Sequence, residues 1–277
     1  MKPPIPYFGG KTSIADRIVE RFPDHGHYVE PFAGSLSVLL AKPRSAMETV
    51  NDLDAHLMTF WRVLRDRPTE LTRVCALTPH SRAEHAAARD LATEDDLELA
   101  RRVWVLLTQG RSGTRRHTGW RYFQDRAGSS IGMPGYLAAF VDRMESVAER
   151  IAGVSLESLP AIDLIEKYGR HDSVLLYVDP PYLATTRGWG NNYIHEYRTD
   201  TEHRDLAAAL RDCTSAVVLS GYASDLYDRE LYPDWDRIEI STFTGNAVGE
   251  MRRTEVLWSN RPLTRHVQQD LLAEVGA

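Results

Sequence analysis

Residues 179–182 read Asp-Pro-Pro-Tyr, bringing an acid, two prolines and an aromatic ring into four consecutive positions. They follow Val174-Leu175-Leu176-Tyr177-Val178, an apolar run that reads as a buried strand. Prolines give no N–H to a sheet ladder, so the strand must stop at Asp179 in a stiff turn. Such a turn is able to hold an amino group on a planar base. Asp179 and the Pro180 carbonyl accept its two protons, and Tyr182 stacks on the ring. In open α/β sheets ligands sit beyond the carboxyl ends of the strands, where this turn falls. The plainer reading is a proline strand terminator with a surface acid, so other segments must decide.

Three segments nearer the N-terminus carry further chemistry. Residues 5–13, Ile-Pro-Tyr-Phe-Gly-Gly-Lys-Thr-Ser, form an aromatic and glycine loop leading into a helix. Thr12 or Ser13 is expected to cap that helix, with Ile14, Ile18 and Phe22 at helical spacing. A phosphate-binding P-loop is rejected, because Ile5 stands where its first glycine must be and no buried strand precedes it. Lys11 at a helix start instead offers a cation for a small carboxylate, with Tyr7 packed nearby. Residues 27–40 read as a short strand, a small-residue turn at Ala33-Gly34-Ser35, and an apolar helix. Glycine at such a turn lets the backbone approach a ligand closely. About twenty residues later a second strand ends at Asn51-Asp52, an acid placed to accept hydrogen bonds from ribose hydroxyls.

These pieces need a sheet to position them, and the composition permits one. The chain has 277 residues, 43% hydrophobic and 26% charged, which suits a globular core with a smaller insert. No apolar run approaches a membrane span, and no signal-peptide core is present in residues 1–20. Cys75 and Cys213 lack metal spacing and read as reduced thiols of a cytosolic protein. Net charge is −6, yet residues 101–126 hold seven arginines against Asp125 alone, a local +6. A basic patch on an acidic protein still suits a phosphate backbone.

Residues 55–150 differ from their flanks: charged, alanine-rich, helix-like runs such as 81–88 and 95–107 replace strand signals. Glycines break that pattern from 109 to 134, where arginines and aromatics interleave. Arg111, Arg115, Arg116, Trp120, Arg121 and Tyr122 are the expected nucleic-acid contacts there, by phosphate pairing, base readout and stacking. The sheet resumes at 153–157 with a strand and continues through a short helix at 160–168. Residues 185–198 are polar, glycine-bearing and aromatic, as a loop closing over a substrate would be. Thr199-Asp200-Thr201-Glu202 is a capping box opening a helix through Leu210, on which His203 is expected to be exposed. Strands follow at 216–220, 238–243 and 255–258, with Arg252 and Arg253 before the last as candidate phosphate contacts.

In this order the segments resemble the Dam-like DNA adenine N6-methyltransferases of bacteria and phages. Pro6-Tyr7-Phe8-Gly9-Gly10-Lys11, Val29-Glu30-Pro31-Phe32-Ala33-Gly34, Asn51-Asp52, Asp179-Pro180-Pro181-Tyr182 and Thr254-Glu255-Val256-Leu257 carry the resemblance. It implies an α/β fold: a Rossmann-like, S-adenosylmethionine-dependent methyltransferase sheet with an inserted, mostly helical target-recognition domain. The division expected is 1–54 and 151–277 for the catalytic part, 55–150 for the insert. By position, Tyr7, Lys11, Glu30, Phe32, Gly34, Asp52 and Asp179 resemble the family's cofactor contacts. Asp52 would hold the ribose and Lys11 would lie near the carboxylate end. Asp179, Pro180 and Tyr182 resemble its catalytic turn. Ser35 and Ser37 stand where many relatives carry a further glycine. Relatives also carry an acid near the position of Pro160, so no adenine contact is assigned to residues 156–160.

The function expected is methyl transfer to N6 of a flipped-out adenine in double-stranded DNA, without a metal or a membrane, in the cytoplasm of a bacterium or a phage-infected host. Two alternatives stay open on the residues alone. One is the same chemistry on cytosine N4, an RNA base or a protein amide; the other is a non-catalytic DNA-binding regulator that retains the fold.

Overall fold

The structure is a computed structural model of the chain, and it describes residues 1–116, 118–124, 131–183, 199–246 and 249–264. Seven strands form one mixed sheet: β1 (His27–Glu30), β2 (Met47–Asn51), β3 (Ser155–Glu157), β4 (Val174–Val178), β5 (Ala216–Gly221), β6 (Asp236–Asn246) and β7 (Gly249–Ser259). Their spatial order is β3-β2-β1-β4-β5-β7-β6. The first five run parallel, while β7 lies antiparallel to both β5 and β6. This is the expected α/β, Rossmann-like sheet. Its order reverses between β1 and β4, the place where such sheets open a crevice beyond their carboxyl ends.

Central strands that are apolar on both sides need layers on both faces, and period-two alternation shows the two layers directly. Leu175 and Tyr177 face one core, while Val174, Leu176 and Val178 of the same strand face the other. The first core is covered by α1 (Ala15–Val19), α2 (Ser37–Ala41), α3 (Ala55–Asp66), α4 (Pro68–Leu77), α5 (Arg82–Ala87), α6 (Asp96–Gln109), α7 (Gly132–Val141) and α8 (Met144–Ile151). Trp61 and Trp104 are fully buried there beside Tyr28 and Tyr177 of the sheet, so the helical stretch 55–150 shares one core with it. The second core is covered by α9 (Ala161–Tyr168), α10 (Asp200–Arg211) and a π-helical turn at Leu226–Leu231. Among the described residues no helix is long and apolar enough to cross a membrane.

Several local expectations need correction. Neither Thr12 nor Ser13 caps α1; Ile14 holds the cap position without a side-chain bond, because the Thr12 hydroxyl pairs with Ser37 Oγ at 2.9 Å. The helix lasts only five residues, so Phe22 packs from the turn beyond it. His203 is fully buried, with Nδ1 2.8 Å from the Tyr227 hydroxyl. The capping box itself is present at Thr199 and Glu202. Cys75 is buried, Cys213 half-buried, and both are free thiols. The loop at 185–198 lies outside the described residues, as do the side chains of Arg252 and Arg253.

Candidate active site

Loops after β1, β2 and β4 meet at the switch point and enclose a cavity of about 340 Å³. Asn51, fully buried at the end of β2, fixes their spacing. Its Nδ2 donates to the carbonyls of Pro31 (2.9 Å) and Leu159 (3.0 Å), and its Oδ1 accepts from Leu159 N–H at 2.7 Å. One amide thereby ties together the segments that follow β1, β2 and β3.

Gly34 in the first loop adopts φ +48°, and a Cβ there would lie 2.9 Å from the Tyr7 ring. Only glycine meets both demands. Its N–H donates to Asp52 Oδ2 at 3.0 Å, and its carbonyl accepts from Trp61 Nε1 at 3.0 Å. Asp52 thus lines the cavity with its carboxylate oriented by backbone, and burial pushes its pKa up to about 6. Glu30 accepts from the Tyr28 hydroxyl at 2.9 Å, and burial pushes it further, to about 8. Phe32 and Tyr7 also line the wall. So do Leu159 and Pro160, to which the sequence assigns no contact, together with Ala161 and Ile162, and Asp163 supplies an acid three residues past Pro160.

At the end of β4, Asp179 and Pro181 line the same cavity, while Pro180, also buried, and half-buried Tyr182 stand next to them outside its lining. Lys11 Nζ lies 2.7 Å from each oxygen of Asp179 and 3.2 Å from the Gly9 carbonyl. It also donates to the Tyr182 hydroxyl and stands 4.8 Å from that ring's centroid. Lys11, expected beside a ligand carboxylate, lines the cavity with its ammonium paired to Asp179. Burial raises the Asp179 carboxyl to about 6, with Lys11 opposing and Glu255 reinforcing the shift. Tyr182 donates to Glu255 Oε1 at 2.8 Å, and its ring lies 4.5 Å from that of Tyr222.

Glu255 and Tyr222 have no role readable from the sequence pattern. Glu255 is buried in an apolar stretch of β7, and Tyr222 directly follows β5. A carboxylate inside a strand that otherwise reads Val-Leu-Trp is the available signal for the first.

The arginine-rich loop divides by burial. The Arg115 side chain is only 3% exposed, its guanidinium held by Asp54, with Nη1 3.2 Å from His56 Nδ1. That pairing braces the loop, since the neighbouring carboxylate takes the charge. Asp54 also caps α3 through Leu57 N–H, so one acid joins loop, helix and cavity wall. Arg121 is half-buried, donates to the Gly110 carbonyl at 3.3 Å and lies over Tyr136. Gly110 and Trp120 form an antiparallel bridge. From it rises a stack: His80 on Trp120 at 4.4 Å and Trp120 on Tyr122 at 5.6 Å, with Arg82 over both rings. Arg111 lies over Tyr122, which is 41% exposed, and Arg116 is half-buried.

Sheet order, switch-point cavity and the Asp179 turn define a Rossmann-like α/β protein with an acid-lined cavity between the ends of β1, β2 and β4. A family model for the D12 class N6 adenine-specific DNA methyltransferases matches residues 7–245, and the chain belongs to that family. It is an adenine-specific DNA methyltransferase. No individual curated protein sequence matches the chain. Two solved structures are similar at a distance. A precorrin 8w decarboxylase of Methanobacterium thermoautotrophicum is 8% identical, over 89% of this chain and 86% of that one, at a TM-score of 0.35. A precorrin-6y C5,15-methyltransferase of Geobacter metallireducens is 12% identical, over 89% and 87%, at 0.32. Likenesses that remote bear on neither site nor substrate.

Proposed function

We propose that the chain transfers a methyl group from S-adenosylmethionine to N6 of an adenine extruded from double-stranded DNA, at the turn formed by Asp179, Pro180 and Tyr182. The observation that carries this reading is that Asp179 and Pro181 of that turn line the acid-lined cavity. Among the described residues that line it, the acids Glu30, Asp52, Asp54, Asp163 and Asp179 outnumber the cation Lys11, and a ligand bearing a sulfonium and an ammonium suits such a wall. The volume is that of a site for a nucleoside-sized ligand. Tyr7, Glu30, Phe32, Gly34 and Asp52 would hold this donor, with Asp52 toward the ribose and Glu30 toward positive charge.

When bound, the donor supplies a methyl on positive sulfur: a nitrogen–carbon bond forms, the sulfur–carbon bond breaks with its electron pair going to sulfur, and one proton leaves nitrogen. Asp179, ionised at neutral pH, accepts from the amino group beside the Pro180 carbonyl and takes that proton. Tyr182, fixed at its hydroxyl by Glu255, offers its ring to the base. Extrusion costs a few kcal/mol, and alignment of amine and methyl supplies roughly 7–11 kcal/mol of the barrier.

The helical stretch 55–150 serves target recognition in this reading. Arg111, Trp120 and Tyr122, extended by His80 and Arg82, present rings and guanidinium planes at the surface, where bases stack and phosphates pair. Arg116 adds charge beside them and Arg121 fixes the loop they stand on. The site of action is the cytoplasm of a bacterium or of its phage-infected counterpart.

The test is product analysis. DNA incubated with the protein and methyl-labelled S-adenosylmethionine, digested to nucleosides, should carry its label in N6-methyldeoxyadenosine. Label in N4-methyldeoxycytidine, or none in DNA, would reject the assignment.

A further inference from the structure

Lys11 bridges both oxygens of Asp179, taking the two lone pairs that converge between them. A target amine seeking that carboxylate meets a resident cation. A second carboxylate stands behind it. Glu255 Oε1 lies 3.7 Å from Lys11 Nζ, with its side chain 5% exposed, and accepts from Ser220 Oγ at 2.6 Å and the Tyr182 hydroxyl at 2.8 Å. These bonds hold the Glu255 carboxylate still; they do not neutralise it.

We propose that Lys11 is a two-position cation, carried by Asp179 in the empty site and handed to Glu255 when the adenine amine arrives. Glu255 is thus a positioning residue for methyl transfer. A shift of about 1 Å brings the ammonium into direct pairing distance. Without the second carboxylate, leaving Asp179 would strand a charge in a nearly dry site, at high cost. The hand-over also makes Asp179 more basic at the step that needs a proton acceptor, because its neutralising cation has moved away. The Tyr182 hydroxyl touches both Lys11 and Glu255, so the ring that receives the base sits on the path of the shift.

The inference rests on the methyl-transfer reading, and two measurements test it. In crystals of Asp179→Asn, which lacks the first charge, Nζ should lie in direct contact with Glu255. Retention beside residue 179, or departure from both, would overturn the proposal. In solution, Glu255→Gln keeps an oxygen for Ser220 and Tyr182 but loses the charge. Its single-turnover transfer should slow roughly 10- to 100-fold, with melting temperature and donor affinity close to wild type, and this loss should vanish in a Lys11→Met background. A wild-type rate for Glu255→Gln, or an equal loss in both backgrounds, would sink the hand-over while leaving the methyltransferase reading intact. Wild-type protein that labels no adenine would instead remove the reading itself, and the inference with it.

Discussion

Glu30 shows how one residue links the cavity to pH. Burial holds its carboxyl near 8, so at neutral pH it is largely protonated in the empty protein. A cationic donor favours the ionised form, and binding below that value must therefore expel a proton. Affinity for S-adenosylmethionine should rise with pH up to about 8 and then level off. Glu30→Gln should flatten the profile, and equilibrium titrations across that range read the difference. Fold stability runs the opposite way. The folded pKa values of Glu30, Asp52 and Asp179 lie above their ordinary values, so the native state holds protons that the unfolded chain has released. Their effect lowers stability as pH climbs from about 4 to about 8. Much at this scale is legible in the sequence: Asp179, Asp52, Gly34 and Glu30 all reach the cavity. Lys11 reads at the right place, but its pairing with Asp179 does not, because Asp179 lies 168 residues away and no local pattern encodes that meeting.

Elements bring these residues together, and their own anchors are testable. Glu48 on β2 receives both Arg150 nitrogens from the end of α8, at 2.5 and 2.8 Å, and Lys42 Nζ at 2.7 Å, all buried. This three-charge cluster fastens the last helix of the 55–150 stretch to the sheet. Removing its sole acid by Glu48→Ala leaves two buried cations with reduced compensation and should destabilise by about 3–5 kcal/mol in denaturant unfolding. A loss under about 1 kcal/mol, the scale of an exposed pair, would show that the cluster is not an anchor. Strand and cap signals are strong in the sequence, since an apolar run closed by Pro-Pro and a Thr-x-x-Glu box each have few structural solutions. His203 reads as exposed although a contrary signal exists. It precedes Leu206 and Leu210 at spacings of three and seven, on the buried face of α10. Polar neighbours obscure that stripe. Thr12 fails as a cap for a different reason: Ser37, far along the chain, competes for its hydroxyl.

Across the whole molecule, the loop that reads DNA in this account is braced against the cavity. Arg115 pairs with Asp54 of the cavity wall, and Phe8 N–H donates to the Gly113 carbonyl at 2.8 Å beside Tyr7. The proposed donor and DNA surfaces therefore share one support. That arrangement is not legible in the sequence, because a loop arginine reads as a nucleic-acid contact until its carboxylate partner, 61 residues upstream, is seen. The surface cations are separable from the brace. Replacing Arg111 and Arg116 by alanine should weaken DNA binding, with donor affinity kept. The slope of log affinity against log salt should become shallower by about 0.9 for each phosphate no longer neutralised. An unchanged slope would place both residues outside the interface.

The central claim is that donor and base amine meet at Asp179. Asp179→Ala should remain folded, because Glu255 stands within reach of the Lys11 ammonium that the substitution releases. The most direct measurement is single-turnover methyl transfer by this variant at saturating donor, with donor affinity measured alongside. A fall of about 10³-fold or more with the donor still bound is the predicted result. Transfer within a fewfold of wild type would contradict the account.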